Sequence, residues 1–388
     1  MSDGISKFEF RFCNSLLVEL GASKRLGPMV KDLGCRKPIF VSDKGIASAG
    51  LFDDAVAGMR AVNLDATLFS DVEPDPTTRI VDAGVQKALD VGADCVIGFG
   101  GGSAMDVAKV IAALVGSGQR LEDVCQGEPV SGPRLPLVLV PTTAGTGSEV
   151  TPIAILTTEE DEKKGLVSPL FLPDHAVLDA DLTRSLPPKV CASTGIDAMV
   201  HAIEAITSAR LKNPLSDCLA EEALKRLAGN IVSACKAETT TATRQDMLLG
   251  ATLAGMAFAN APVGGVHALA YPIGARFHVP HGLSNSLVLW KVIEFNACDA
   301  RTEYEKIGDI LSPYMGEDAS REGVEGLIEY LRALPKRLGL PTRLSEVGIR
   351  KGDIEMLATD AMRQERLLVN NPRTVTERDA STIYSAVL

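Results

Sequence analysis

Two stretches constrain what this chain can fold into more than any others. Asp94-Cys95-Val96-Ile97-Gly98-Phe99 and Leu135-Pro136-Leu137-Val138-Leu139-Val140-Pro141 are apolar runs with no alternation of polar residues. A strand of that kind is buried on both faces, as in a parallel sheet covered by helices on each side. Shorter strand-like runs precede them at Lys37 to Asp43 and Asp65 to Phe69, and a segment with helical periodicity lies between at Thr77 to Gly92. Strand-helix-strand alternation of this sort predicts an α/β domain with a Rossmann-like parallel sheet and helices on both faces.

Each buried run leads into a loop of small residues. After the first comes Gly98-Phe99-Gly100-Gly101-Gly102-Ser103-Ala104-Met105-Asp106-Val107-Ala108-Lys109, which passes straight into a helix-like segment. Glycines let backbone approach a phosphate, and a helix N-terminus offers unpaired N–H groups and the positive end of a dipole. The spacing fits neither the dinucleotide fingerprint G-x-G-x-x-G nor a Walker A loop, and a tight strand-to-helix turn would use the same residues. The second loop, Pro141-Thr142-Thr143-Ala144-Gly145-Thr146-Gly147-Ser148-Glu149, is rich in hydroxyls. Two such loops at the carboxyl ends of parallel strands would face one crevice, where open α/β sheets bind ligands. Asp43 ends an earlier strand, where a carboxylate either meets a ribose diol or caps a turn.

Past about residue 185 the pattern changes. Helical periodicity dominates at 192–207, 214–235, 243–260, 282–298, 301–313, 320–338 and 351–365, and strand-like runs nearly vanish. The expected organisation is an α/β domain over 1–185 and an all-helical domain over 186–388. Arg363 to Leu388 has no clear assignment, and the charged stretch Glu159 to Lys164 reads as a solvated turn.

The helical half holds three of the five histidines in two glycine-flanked motifs. In Gly195-Ile196-Asp197-Ala198-Met199-Val200-His201-Ala202-Ile203-Glu204, Asp197 and His201 stand four apart, hence on one helix face. In Gly264-Gly265-Val266-His267 to Gly274 and Val279-Pro280-His281-Gly282, His267 and His281 lie in otherwise apolar surroundings. One carboxylate and three imidazoles make a nitrogen/oxygen site suited to Fe(II) or Zn(II). Singly, each histidine reads as a satisfied core residue. His175 and His278 lack a comparable setting.

Composition narrows the field. With 39 Lys and Arg against 50 Asp and Glu the net charge is -11, a surface that repels phosphate backbones and anionic lipid. We therefore expect no nucleic-acid and no membrane partner. The start, Met1 to Phe12, lacks the apolar core of a signal peptide. The eight cysteines are widely spaced without a C-x-x-C pair, which reads as buried thiols in a reducing, cytoplasmic setting.

Taken in order, Gly100 to Lys109, Pro141 to Glu149, Gly195 to Glu204 and His267 to Gly282 resemble the iron-containing (group III) alcohol dehydrogenase family over nearly the whole chain. The resemblance implies an N-terminal dinucleotide-binding α/β domain, a C-terminal all-α metal-binding domain and an active site in the cleft between them. By similarity Asp197, His201, His267 and His281 would be the metal ligands, for Fe(II) or Zn(II). Gly101, Gly102 and Ser103 would hold the pyrophosphate of NAD, with Asp106 in the same cofactor-binding set. Thr142, Thr143 and Thr146 would line the cofactor site, and Asp43 would meet the adenosine ribose and favour NAD over NADP. Lys163 falls where the family places a lysine near the nicotinamide, with Lys164 as a substitute. Many members carry a further histidine four residues after the third ligand for proton transfer, and this chain has Tyr271 there. Tyr271 is thus the proton-relay candidate beside the catalytic ligand His267; shaping the pocket is the other role open to it.

The implied activity is NAD-linked, metal-dependent oxidation of a small alcohol, diol or hydroxy acid, or reduction of the matching carbonyl, by a homodimer or larger homo-oligomer. Phe258, Val263 and Tyr271 would border the substrate. Two other readings share the architecture: a non-redox enzyme of the dehydroquinate-synthase type, which needs a basic phosphate pocket absent near these histidines, and a metal-independent maleylacetate-type reductase, against which the complete ligand set argues.

Overall fold

The computed structural model describes residues 7–159, 163–316 and 319–388, and the chain divides into two compact units. The first, Phe12–Leu186, is built on β1 (Leu16–Val18), β2 (Pro38–Val41), β3 (Thr67–Phe69), β4 (Cys95–Gly100), β5 (Leu137–Pro141), β6 (Ile153–Thr157), β7 (Lys163–Val167) and β8 (His175–Leu178). Its helices are α1 (Leu26–Asp32), α2 (Lys44–Ser48), α3 (Asp53–Ala61), α4 (Thr78–Val91), α5 (Gly102–Ser117) and α6 (Leu121–Cys125). Six strands form a parallel sheet in the order β1-β8-β5-β4-β2-β3, while β6 and β7 pair as an antiparallel hairpin.

Strand alternation explains why helices cover both faces. On one face Ile39, Val41, Val96, Leu137 and Leu139 pack with Val81, Met105 and Ile111 of α4 and α5. On the other, Phe40, Cys95, Ile97, Phe99, Val138 and Val140 pack with Leu26, Val30 and Met59 of α1 and α3. Adjacent residues of one strand thus enter different cores, and both must be apolar. The two apolar runs became the paired strands β4 and β5, with Gly100 opposite Pro141, while β2 pairs with β4 on its other side.

The second unit groups Pro187–Leu388 with the segment ending at Arg11. It holds α7 (Pro188–Thr207), α8 (Pro214–Ala234), α9 (Thr241–Asn260), α10 (Gly265–Phe277), α11 (His281–Asn296), α12 (Arg301–Met315), α13 (Gly323–Arg337), α14 (Ile354–Met362), α15 (Glu365–Leu368) and α16 (Glu377–Ala386). A boundary at residue 185 places the entire N-terminal segment with the sheet. Instead the Arg11 backbone exchanges two hydrogen bonds with the Asn260 side chain, at 2.7 and 2.8 Å, and so belongs with the helices.

No single helix among the described residues is long and apolar enough to cross a membrane. The pair α9 and α10, bent by 107°, passes that test only jointly, and both helices bury much of their surface inside the helical unit. The cysteines are free thiols, but not uniformly buried: Cys13, Cys35, Cys95 and Cys191 are buried, whereas Cys218 and Cys298 are exposed. Of the charged stretch Glu159 to Lys164, residues 160–162 lie outside the described residues.

Candidate functional site

In the sheet unit, the carboxyl ends of the neighbouring strands β2, β4 and β5 bring Asp43, the glycine loop and the threonine loop to one rim. Helix α5 begins immediately after β4. Its N-cap is Gly101, which supplies no side-chain cap, so the first-turn N–H groups have no side-chain acceptor. Gly102 is required by close approach, since a Cβ there would stand 2.8 Å from Thr146 Cγ2. A Cβ on Gly101 would lie 3.6 Å from Thr143 Cγ2, so both threonines border the glycine backbone. Ser103 is half-buried in the first turn of α5. Thr142 is buried, and its Oγ1 has no partner among the described residues. A helix N-terminus without a side-chain acceptor, bordered by threonines, suits a diphosphate.

Asp43 fits both roles read for it. Its Oδ1 accepts from the Ile46 N–H at 2.9 Å, capping α2. Its Oδ2 faces the rim, 3.7 Å from where a Cβ on Gly100 would sit.

Asp106 and Lys163, expected in the cofactor-binding set, are both engaged by other side chains or backbone of the sheet unit. Asp106 points inward, because one turn into α5 that face packs on β6. Its Oδ1 accepts from Ser148 Oγ at 2.6 Å and its Oδ2 from the Ile155 N–H at 2.9 Å. Lys163 donates to Asp75 Oδ1 at 2.6 Å. Its neighbour Lys164, on the opposite face of β7, donates to the Cys125 carbonyl.

In the helical unit, Asp197, His201, His267 and His281 converge, each offering one ligand atom, all within 4.8 Å of one another. Asp197 and His201 come from consecutive turns of α7, His267 from the first turn of α10 and His281 from the first residue of α11. His278 ends α10 in a left-handed conformation with φ 53 and turns the chain towards His281. Gly282 permits the crossing of α11 on α7, since a Cβ there would meet the Ser193 carbonyl oxygen at 2.2 Å. The first three ligand candidates are almost completely buried, and the His281 side chain is 33% exposed.

Two residues outside the expected set organise the cluster. Glu204, two turns after Asp197 on α7, accepts from His267 Nδ1 at 2.6 Å and from the Val266 N–H at 2.7 Å. A carboxylate only accepts, so the imidazole proton sits on Nδ1 and Nε2 turns its lone pair to the cluster. Asn285, one turn after His281, donates to Asp197 Oδ1 at 2.6 Å, with its amide nitrogen 3.2 Å from His267 Nε2. Helical spacing was the available signal for both, as i+3 from His201 and i+4 from His281.

The electrostatics favour an ionised Asp197. Burial pushes its carboxyl up, but His281, His201, His267 and the Asn285 hydrogen bond together hold it below the usual carboxylate range. The His201 ring stacks on Phe258 at 4.3 Å and on His267 at 4.8 Å between centroids. Tyr271 stands edge-on to His281 at 5.6 Å and to His267 at 6.4 Å. One carboxylate and three imidazoles, one of them backed by a buried carboxylate, are a donor set that fits a divalent transition metal.

Comparison with known proteins agrees with this geometry. Residues 13–180 match the family described as iron-containing alcohol dehydrogenase, and residues 191–388 match the C-terminal part of the Fe-containing alcohol dehydrogenase family. Long-chain-alcohol dehydrogenase 1 of Geobacillus thermodenitrificans is 37% identical, over 94% of this chain and 93% of its own length. A crystal structure of 1,3-propanediol oxidoreductase superposes with a TM-score of 0.92 at 29% identity, covering 98% of this chain and 100% of that one. Sulfoacetaldehyde reductase from Bifidobacterium kashiwanohense, solved in complex with NAD+, gives 0.89 at 26% identity, covering 98% of each chain. The chain belongs to the iron-containing alcohol dehydrogenase family.

Proposed function

We propose that this protein is a metal-dependent, NAD-linked dehydrogenase that interconverts a small alcohol, diol or hydroxy acid with its carbonyl form. The observation that carries the proposal is the convergence of Asp197, His201, His267 and His281 at one buried point, with Glu204 fixing His267.

In this reading those four side chains hold Fe(II) or Zn(II), which supplies a Lewis acid for the substrate oxygen, and NAD supplies the hydride acceptor. The chain's own residues do the rest. Glu204 keeps a proton on His267 Nδ1 and so keeps Nε2 available. Asn285 holds Asp197 Oδ1, the oxygen that faces His281 Nε2 at 3.6 Å, and so fixes the carboxylate among the imidazoles. The N-terminus of α5, with Gly101, Gly102 and Ser103, receives the diphosphate, while Thr142, Thr143 and Thr146 line the same rim. The free oxygen of Asp43 accepts from a ribose diol and repels a 2′-phosphate, which selects NAD over NADP. Tyr271, half-buried beside His281 and His267, passes the hydroxyl proton to solvent. Phe258, Val263 and Tyr271 give the substrate side a mainly apolar border, which favours an uncharged alcohol. The net charge of -11 and the free thiols accord with a cytoplasmic enzyme, and we assign it a homodimeric or higher homo-oligomeric state.

The retained ligand set speaks against a metal-independent reductase. The test is NADH formation, followed by its near-ultraviolet absorbance, over a panel of primary alcohols, diols and hydroxy acids. Turnover of at least one class with NAD and not NADP supports the proposal; no turnover of any member with either cofactor overturns it.

A further inference from the structure

Lys109 is a fully buried lysine, an unusual place for that side chain. It lies one helical turn beyond Asp106 in α5, its side chain is 0% exposed, and no step above uses it. Its three N–H groups are shared among four acceptors: the Ile153 carbonyl at 2.6 Å, Ser148 Oγ at 2.7 Å, and Asp106 Oδ1 and Thr151 Oγ1, each at 3.3 Å. Ser148 Oγ in turn donates to Asp106 Oδ1 at 2.6 Å. Lysine, carboxylate and hydroxyl therefore close a ring of hydrogen bonds inside the sheet unit. Burial pulls the Lys109 pKa below the usual lysine range, while Asp106 and Glu149 draw it back up.

A buried ion pair is seldom a net source of stability compared with apolar side chains of the same volume. Its position gives it another use. Ser148 ends the threonine loop, and its N–H donates to Thr146 Oγ1 at 3.2 Å. Thr146 is the side chain that stands against Gly102. A continuous path thus runs from Lys109 and Asp106 through Ser148 and Thr146 to the backbone at the N-terminus of α5.

We propose that the Asp106–Lys109 pair is a positioning device, which through Ser148 sets the spacing between the glycine loop and the threonine loop and so tunes their grip on a dinucleotide diphosphate. The inference rests on the NAD-binding reading above. Asp106 and Lys109 act through Ser148, with which both share hydrogen bonds. They hold the two loops in register, as a built site requires of the groups behind it.

The experiment uses Ser148→Ala, which cuts the path and leaves the ion pair in place, and the double variant Asp106→Asn/Lys109→Met, which removes both charges together. NADH binding is followed by fluorescence, ADP and zinc binding by calorimetry, and folding by circular dichroism. We expect NADH and ADP to bind about tenfold more weakly in both variants, with zinc affinity unchanged and the loss falling on KM for NAD more than on kcat. Folded variants with parental NADH and ADP affinity would overturn the inference. Parallel loss of zinc and nucleotide binding with a lowered melting temperature would also overturn it, in favour of general support of the fold. A parent protein that binds neither NADH nor ADP would instead remove the nucleotide reading itself, and the inference with it.

Discussion

Glu204 and His267 meet at 2.6 Å inside the helical unit, and the same carboxylate accepts the backbone N–H of Val266 at 2.7 Å. One side chain of α7 therefore fixes both the tautomer of the candidate ligand imidazole and the first turn of the helix that bears it. Such carboxylate–histidine pairs behind a metal typically account for ~10–100-fold in affinity. We predict that Glu204→Gln weakens zinc binding by about that factor while the protein stays folded, as read by competitive chelator titration and circular dichroism. Unchanged affinity would show that His267 needs no such support.

Gly282 makes a separate prediction about packing. The carbonyl of Ser193 occupies the place a Cβ would take, 2.2 Å away, and Asp197 Cβ lies 3.1 Å from it. Backbone cannot step aside as a flexible side chain can, so Gly282→Ala must push α11 off α7. The expected cost is about 1–3 kcal/mol of stability, together with loss of stoichiometric metal, because His281 and Asp197 lie on the two helices being separated. Thermal melts with metal analysis check both parts.

Tyr271 carries the prediction about proton movement. A phenol titrates near ~10 and an imidazole near ~6.5 when unperturbed. We expect Tyr271→Phe to lower kcat for alcohol oxidation by about a hundredfold and to leave metal content intact. Tyr271→His should restore turnover and move the rise of kcat with pH to lower pH. A Tyr271→Phe enzyme with parental kcat would leave the side chain only the role of shaping the pocket.

A pH effect on stability follows from Asp174. It accepts from Arg134 at 2.7 Å and from the Leu137 N–H at 2.8 Å, tying down the start of β5. Burial pushes this carboxyl up, but Arg134 and the Leu137 N–H outweigh it and hold the carboxyl below the usual range. A depressed folded value gives stabilisation that is complete above the unfolded value near ~3.9 and is lost as pH falls through the folded one. Asp174→Asn should therefore lower the melting temperature at neutral pH and flatten its decline on acidification below about pH 4.

Much of this arrangement was legible in the residues, for identifiable reasons. Strands β4 and β5 could be read because burial on both faces demands uninterrupted apolar sequence, and α7 because it has helical periodicity with Asp197 and His201 on one face. β8 was not anticipated: it is four residues long and derives its place from β1 and β5 on either side. α10 escaped because glycines and Pro272 obscure its periodicity, although it carries His267. The α16 helix was hidden in a polar tail and starts from a Thr376 and Asp379 capping box.

The site shows the same division. Asp197 and His201 could be placed on one helix face by their spacing, but the set of four with His267 and His281 rests on the family resemblance. Asp106 shared a motif with the glycine loop, yet its orientation depended on β6, which lies almost fifty residues downstream, as the 49-residue separation of its bond to Ile155 shows. The pairing of Lys163 with Asp75 spans 88 residues and leaves no local signal. Local spacing reports what a helix face presents; it does not report what another element brings against it.

The most direct test of the central claim is metal analysis of freshly purified protein together with NADH formation before and after chelation, run beside His267→Ala. The account predicts near-stoichiometric iron or zinc, turnover that chelation abolishes and added Fe(II) or Zn(II) restores, and neither metal nor turnover in the variant. Full turnover by metal-free protein, or by His267→Ala, would contradict it.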